Sequence, residues 1–544
     1  MNIKGYHYSS KQGLANSFGI VNKDDPLTFL LKDTKGAIGV FYHLDYAVAQ
    51  LLRYLKVPET GLRELFETGQ LVIKPWIIRY KSKKFLNITY DPNYNLETST
   101  GNPNAPFTNL SDMYQWHHNS DLTEMDVVQY AKLAQDIGQE VYSTLADMNL
   151  HPKSLVSPVN VFGKEILSTM DLPTVVDIPE EAGLYAYNCL QGSWVEAFKK
   201  GHFEKVYDYD LRSAYSSFLA KLLDTRFGEW YEQKEYIDEA HYGYCKCWVD
   251  IESEFSPVQL RKGKNNFTPT GPYERYLNKA YIDFIYEYDI GTVEILNGHW
   301  WVPTGSELVY PLEEMIIDLN KWKDRAKSKL ARQVIKRIPN GIWGKLIEQR
   351  KDGDCYNFMP PWACECDNET TLEDARFVLD NELYPDHLLQ IVVDGVTSTK
   401  EVQLEKSDEM GSWQLTNTGA AFVIGSGVCA IEGKDGEGEF ALTYNWLKDQ
   451  ILEKPQASRY SMSKLSPVSV MQVVKGTDKI EKLGLHKEIT RIVDVGKEVK
   501  REYAVEPMDG EQLMNNEYSS LPWGISIIEG LPKSKEQEEI LEED

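Results

Sequence analysis

Cysteine is scarce in this sequence, long apolar runs are missing, and there is no excess of basic charge. Seven cysteines in 544 residues cannot build a disulfide framework, so a reducing cytoplasm is the expected setting. No stretch approaches the roughly 20 apolar residues that span a bilayer. The opening MNIKGYHYSSKQGLANSFG lacks the apolar core of a signal peptide, so no membrane partner is expected. A net charge of −25 argues against a nucleic-acid coat protein, which would be basic. No internal repeat or low-complexity linker is found, and the ten histidines form no cluster, with His117 and His118 in an expected loop. What the chain does have is 42% hydrophobic residues and 12% aromatics, with 32 Tyr and 13 Trp. That supports a large core in several domains and argues against disorder.

The charge is unevenly spread. From Lys321 to Arg337, KWKDRAKSKLARQVIKR carries eight basic residues and one acid, whereas the closing KSKEQEEILEED has six acids and two lysines. A solvated helix face usually alternates sign, so the basic stretch reads as an anion-facing one. The acidic tail reads as solvated and frayed.

Along the chain, GVFYHLDYAVAQLLRYL from Gly39 reads as a strand, a polar turn at His43-Leu44-Asp45, then a helix. Residues 124–146 have helical spacing of Val127, Tyr130, Leu133, Ile137 and Val141. The span 100–120, rich in Asn, Pro, Ser and Thr, reads as loop. From Gly192 to Phe218 the pattern is strand-like, and 311–350 reads as helix carrying the basic stretch. LLQIVVDGVTSTK (388–400) reads as two strands joined by a turn at Asp394-Gly395. Further strand is expected around 420–431 and helix around 442–453.

Three pieces stand in order. In VYDYDLRSAYSSF (206–218) a strand ends in Asp208 and Asp210, which point to one face because strand side chains alternate. A basic helix ends in KRIPNGIWGK (336–345), and a hairpin then carries Asp394 at its turn. Carboxylates on different strands can hold two cations about 3.5–4 Å apart for phosphoryl transfer. Mg²⁺ prefers such oxygen ligands together with substrate phosphates, and a facing positive helix would hold a triphosphate.

These residues resemble a family B DNA polymerase, most of all the compact protein-primed type of phages and linear elements. Asp210-Leu-Arg-Ser213-Ala214-Tyr215-Ser216 resembles motif A, Asp-x-x-Ser-Leu-Tyr-Pro, with Ala214 and Ser216 replacing Leu and Pro. Lys336-Arg-Ile-Pro-Asn340-Gly341-Ile-Trp343-Gly344 resembles motif B, Lys-x-x-x-Asn-Ser-x-Tyr-Gly. Gly192-Ser193 resembles the Gly-Gly/Ala link ahead of the palm. Motif C, Asp-Thr-Asp-Ser, is reduced, and two alignments are open. Asp394 is either its first acid, leaving Val396 at the essential position, or its second, preceded by Val392-Val393. The second keeps the apolar strand continuous to the turn and is adopted here.

The resemblance implies two Mg²⁺ ions, replaceable by Mn²⁺, held by Asp210 and Asp394, with Asp208 a further candidate ligand. It implies that Tyr215 packs against the incoming sugar and disfavours ribonucleotides, in a turn that begins with Ser213. Lys336 would contact the triphosphate, while Asn340 and Gly344 would shape the pocket. Arg325 and Lys329, one helical turn apart on charge and spacing alone, are added as phosphate contacts.

The N-terminal part resembles the family's proofreading domain incompletely. Asp45 in YHLDYAVAQLL looks like its second motif, and Asp136 falls where the third motif's acid would, with Lys132 in place of the expected Tyr. The first motif, Asp-x-Glu, is missing, so no proofreading is expected.

The implied fold is α+β, a right-hand polymerase with an exonuclease-like (RNase H-like) domain at 1–175. Palm would occupy 176–310 and 351–430, fingers 311–350, and thumb with acidic tail 431–544. The implied partners are DNA primer–template, dNTPs, and a protein primer or replication accessory protein. The alternative is a catalytically inactive polymerase-fold protein that binds primer–template or a replication partner. Cys245, Cys247, Cys364 and Cys366 read as buried apolar thiols rather than a zinc set, since Cys-x-Cys lacks the usual spacing.

Overall fold

The computed structural model describes residues 2–9, 13–16, 18–22, 26–33, 37–41, 44–73, 76–81, 85–90, 104–109, 127–150, 170–174, 177–305, 307–346, 360–434, 442–496 and 498–530. His43, His117, His118 and the acidic tail lie outside them. The architecture is α+β, in two compact units. No helix among the described residues is long and apolar enough to cross a membrane.

The first unit comprises Met1–Thr169, Leu319–Gly341 and Met462–Arg491. Its strands are β1 (Asn2–Ser9), β2 (Gly13–Asn16), β3 (Gly19–Asn22), β4 (Ala37–Phe41), β5 (Gln70–Ile73), β6 (Trp76–Lys81), β7 (Phe85–Tyr90) and β8 (Asn104–Asn109). They form one sheet ordered β3-β2-β1-β4-β8-β7-β6-β5. In it β4 runs parallel to both β1 and β8, and the other pairs are antiparallel. The expected loop at 100–120 therefore contains a strand: polar and proline-containing as it is, Asn104–Asn109 is held by pairing with β7 on one side and β4 on the other. Helix Leu44–Tyr54 buries Leu44, Ala47, Val48, Leu51 and Leu52, an i, i+3, i+4, i+7, i+8 stripe. That stripe joins Ile78, Leu86 and Ile88 in one core. Helix Val127–Asp147 buries Val127, Ile137 and Val141 of the expected stripe, while Tyr130 and Leu133 are half-buried.

The basic stretch falls on two helices, Glu313–Arg325 and Lys329–Leu346. Arg325 and Lys329 are therefore not one turn apart on a common helix, which corrects the expectation from spacing. Ser328 is the reason: its hydroxyl oxygen accepts the Ala331 N–H at 2.9 Å and starts a new helix. That helix runs through Pro339, a residue that ordinarily breaks one; Val334, Ile335, Ile338, Ile342 and Leu346 are all buried along it.

The second unit comprises Met170–Asp318, Ile342–Ser461 and Ile492–Asp544. Strands β9 (Val195–Ala197), β10 (Lys199–Leu211), β11 (Gly228–Glu232), β12 (Tyr242–Ile251), β13 (Leu260–Lys262), β14 (Asn265–Phe267), β15 (Gly271–Asn278), β16 (Gly291–Pro303), β17 (Leu388–Val392), β18 (Gly395–Ser398), β19 (Trp413–Gly425) and β20 (Val428–Ile431) belong to it. The main sheet has the order β20-β19-β10-β18-β17-β9, with β10 inside it; a second sheet has the order β11-β16-β12-β15. The strand-like pattern expected through Phe218 ends at Leu211, because Ala214–Ala220 is a helix. Helix Pro360–Asp380 packs Leu372, Ala375, Phe377 and Val378 into the core that contains Tyr209, Leu388, Ile391 and Val396. Cys245 and Cys247 on β12, and Cys364 and Cys366 on that helix, are fully buried; burial pushes the Cys364 and Cys366 thiols well up.

Candidate active site

Strand β10 carries Asp208 and Asp210 toward one end of the main sheet and pairs with β18 on one side and β19 on the other. Opposite Asp208 the β19 register shifts, Asp208 facing Asn417 while Tyr209 faces Leu415, so Thr416 is an extra residue. Such bulges re-aim side chains next to active sites. Thr416 donates its hydroxyl to the Asp208 carbonyl at 2.9 Å and to Oδ2 at 3.1 Å. Thr397 donates to Asp208 Oδ1 at 3.0 Å, and Lys434 Nζ to Oδ2 at 2.7 Å. Burial opposes the Lys434 charge, but Asp208 outweighs it and raises its pKa. Asp208 is thus engaged on both oxygens. Asp210, half-buried, accepts a bond from Gln414 Nε2 at 3.2 Å.

The β17–β18 hairpin brings the next acid to the same place. Its turn residues are Val393 and Asp394, and Gly395 already pairs with both Val392 and Asp210, so the turn lies one residue earlier than the sequence suggests. Close approach explains the glycine: a Cβ on Gly395 would come 3.1 Å from the Tyr209 carbonyl oxygen. Val393 takes φ 63°, a left-handed conformation that β-branched residues avoid and that costs on the order of 1–3 kcal/mol. Two bonds hold it there. The Val393 N–H donates to the Trp194 carbonyl at 2.8 Å, and the Leu211 N–H donates to the Asp394 carbonyl at 2.9 Å. Asp394 is thereby fixed beside the end of β10, where Asp210 stands.

Motif A continues into helix Ala214–Ala220. Ser213, with φ 54°, occupies the position before the helix, and its carbonyl accepts the Ser217 N–H at 2.9 Å. Tyr215 stacks at a tilt on Trp343, ring centroids 5.2 Å apart. Its hydroxyl donates to Asp367 Oδ1 at 3.2 Å, and the other oxygen of Asp367 accepts the Gly192 N–H at 2.9 Å. Gly192 has φ 83°, readily adopted only by glycine. Burial, and then Asp367, push the Tyr215 phenol well up; burial raises Asp367 as well.

Asp367 went unnoticed in the sequence, and so did Asp374 on the same helix. Asp374 is fully buried, and neither carboxyl oxygen has a hydrogen-bond partner. Burial pushes its pKa well up, and Asp394, Glu373 and Asp210 push it further in that order. The signal was available: Asp367 and Asp374 are seven apart, so a helix places them on one face.

Of the other expected site residues, Lys329, Lys336 and Asn340 are exposed on helix Lys329–Leu346, and Arg332 shares their side. Arg325 is exposed at the end of the preceding helix, and Gly344 is half-buried near the end of its own. In the first unit, Asp45 lies in the first turn of helix Leu44–Tyr54 and accepts a bond from the Tyr80 hydroxyl. Asp136 and Lys132 are exposed on helix Val127–Asp147.

The second unit thus brings Asp208, Asp210, Ser213, Tyr215 and Asp394 together, with Asp367 and Asp374 behind them. Hard oxygen donors at adjoining strand ends, with an unpartnered carboxyl beside them, suit a divalent cation such as Mg²⁺. Elsewhere, Glu181, Glu232 and His299 offer ligand atoms within 4.8 Å of one another, and burial lowers the His299 pKa.

No family model matches the sequence, and no curated protein matches it either. Solved structures do. Phi29 DNA polymerase complexed with primer–template DNA, a post-translocation binary complex, matches over 91% of this chain and 99% of that chain, with TM-score 0.59 and 13% identity. The ternary complex of that polymerase with primer–template DNA and incoming nucleotide substrates matches over the same shares, with TM-score 0.58 and 12% identity. Its orthorhombic crystal form gives 0.59 and 11%. The resemblance to protein-primed family B polymerases therefore holds at the level of the fold: this chain is folded as Phi29 DNA polymerase is.

Proposed function

We propose that the protein is a template-directed DNA polymerase that adds dNTPs to a primer 3′-hydroxyl in replicating a viral or mobile-element genome, without proofreading. The observation that carries this reading is the meeting of Asp210 and Asp394 at the adjoining ends of β10 and the β17–β18 hairpin. On this reading the main sheet of the second unit is the palm, 311–350 the fingers and 431–544 the thumb. Residues 1–175 form an exonuclease-like domain whose Asp45 and Asp136 are remnants without the first motif's acid pair. The work would take place in the cytoplasm, that of the host cell if the source is viral.

Asp210 and Asp394 would hold two Mg²⁺ ions. Bound there, the ions supply a lowered pKa at the attacking hydroxyl and charge neutralisation on the transferring phosphoryl group. Asp208 anchors Lys434 instead of a cation, because Thr397, Thr416 and Lys434 already occupy its oxygens. Tyr215, fixed by Asp367 and Trp343, offers its ring to the nucleotide sugar and leaves no room for a 2′-hydroxyl. The resemblance would assign the exposed Lys336 to the triphosphate, Arg325 and Lys329 to further phosphate contacts, and Asn340, Gly344 and Ser213 to the nucleotide pocket. Primer–template DNA and incoming nucleotides, the molecules bound to the solved Phi29 polymerase, would be the substrates, and a protein primer or accessory protein a further partner.

One feature favours a second reading, an inactive polymerase-fold protein that binds primer–template DNA: Val392 and Val396 flank Asp394 where the family carries another acid. Extension of a labelled primer on a template, with Mg²⁺ and dNTPs, separates the two. Wild type should extend, and Asp210→Asn and Asp394→Asn should not. Tight primer–template binding without extension by wild type would select the second reading.

A further inference from the structure

Motif C provides one acid, Asp394, where its family pattern has two. Two carboxylates make a lean ligand set for a pair of divalent cations, each of which takes about six oxygens.

Helix Pro360–Asp380 is rich in acids, and all but one of those in its buried middle have partners. Glu365 accepts from Asn278 Nδ2 at 3.1 Å on each oxygen. Asp367 accepts from Tyr215 and Gly192. Glu369 and Glu373 share Arg376, at 3.3 and 3.6 Å. The nearby hydroxyls are committed elsewhere, Thr370 to the Cys366 carbonyl at 2.8 Å and Thr371 to the Asp367 carbonyl at 3.4 Å. Asp374 alone among these acids is fully buried with both oxygens unpartnered. A buried polar group left in that state costs about 1–3 kcal/mol even when neutral, so a fold that retains one leaves a ligand position to account for.

Geometry places this carboxyl behind the two acids. Seven residues earlier on the helix, Asp367 bonds Tyr215. Three residues later, Phe377 packs 5.3 Å from the Tyr209 ring and 4.0 Å from that of Trp413. Tyr209 precedes Asp210 in β10, and Trp413 pairs with Leu211 just after it. Asp374 thus lies on the stretch of helix between the contact with motif A's tyrosine and the contact with motif A's strand. Asp394 and Asp210 are among the three acids whose charge it feels.

We propose that Asp374 is the third carboxylate of the cation site, supplied by helix Pro360–Asp380 in place of the acid that motif C lacks. The proposal rests on the reading of Asp210 and Asp394 as cation ligands. With a cation present, the Asp374 oxygens gain a partner, and the ion offsets the charges of Asp394 and Asp210 that oppose ionisation of Asp374.

Mn²⁺ binding tests this without nucleotide or DNA. The full chain would be titrated with Mn²⁺ alone, with binding followed by calorimetry and by the electron paramagnetic resonance of the free ion. Wild type, Asp374→Asn, Asp374→Ala and Asp394→Asn would be compared, with thermal unfolding of each metal-free protein as the control. Asp374→Asn and Asp374→Ala should weaken Mn²⁺ binding tenfold or more while the metal-free proteins stay at least as stable as wild type, since an unpartnered acid has been removed. Wild-type affinity in whichever Asp374 variant folds, with loss in Asp394→Asn, would overturn the role of Asp374 and leave the polymerase reading standing. Metal-free unfolding of both Asp374 variants would also overturn it, by showing that the carboxyl serves the fold. Absence of Mn²⁺ binding in wild type would instead remove the cation-site reading itself.

Discussion

The Tyr215 hydroxyl donates to Asp367 Oδ1 at 3.2 Å, and Asp367 Oδ2 accepts the Gly192 N–H at 2.9 Å. One buried carboxylate therefore ties the aromatic of motif A to the segment that leads into β9. A ring held this way cannot swing aside for a bulkier sugar, because moving it leaves a buried acid short of a donor.

Sugar selection should therefore depend on Asp367 as well as on Tyr215. Tyr215→Ala is expected to reduce discrimination against ribonucleotides by about tenfold or more, the range of one lost steric or polar contact, ~1.4 kcal/mol. Asp367→Ala and Tyr215→Phe, which each remove the bond that holds the ring, should both give a smaller loss of the same sign. Single-nucleotide incorporation of dNTP against NTP measures all three. Unchanged selectivity in Tyr215→Ala would remove the sugar-facing assignment.

Lys336 is exposed, so its charge works through bulk water and matters only where phosphate comes close. Lys336→Ala should raise KM for dNTP about tenfold, one charge-assisted contact of ~1.4 kcal/mol, and its effect should shrink at high salt. Arg325→Ala, on a separate helix, should have less effect. Steady-state kinetics at two salt concentrations would show it; an equal loss from both substitutions would mean that general charge, and not a placed contact, binds the triphosphate.

What could be read in advance was local. A strand that ends in acids and a hairpin tip with Asp394 are written in consecutive residues, and the structure brings those two ends together. The turn was misplaced by one because nothing in the sequence marks Val393, a strand former, as left-handed; tertiary bonds from Trp194 and Leu211 hold it there. Asp367 and Asp374 stayed hidden because their meaning depends on which strand the helix covers. The break between Arg325 and Lys329 turned on one serine hydroxyl. Helix Lys329–Leu346 survives Pro339 through burial, which overrides local preference.

The hairpin's support makes a stability prediction. Glu196 on β9, paired opposite Ile391 of β17, forms an ion pair with Arg501 at 2.8 Å, their side chains 2% and 1% exposed. Arg501→Met leaves that buried carboxylate its neutral donors, Trp194 and Thr268, but no ion-pair partner, and should cost about 3–5 kcal/mol. Adding Glu196→Gln should return much of the loss, because removing both charges also removes the desolvation cost. Urea unfolding of the single and double variants tests this; additive losses would mean that the two side chains do not act as a pair.

Glu365 carries the clearest pH signature. Burial, reinforced by Glu369, pushes its carboxyl from 4.5 up to about 8, against the lowering effect of the Asn278 bonds. The folded state therefore holds a proton that the unfolded chain has already released between those two values. The unfolded state binds fewer protons in that window, so stability falls as pH rises from about 4.5 to about 8 and is level beyond it. A shift from 4.5 to about 8 corresponds to about 5 kcal/mol at most, at ~1.4 kcal/mol per unit. Glu365→Gln keeps a carbonyl oxygen for Asn278 and has no proton to lose. Its stability should match wild type near pH 5 and exceed it by a few kcal/mol at pH 8–9, in urea titrations run at unit intervals. Parallel profiles for the two proteins would show that Glu365 is already ionised in the native state, and would move the pH dependence to other buried acids on the helix, Asp374 first among them.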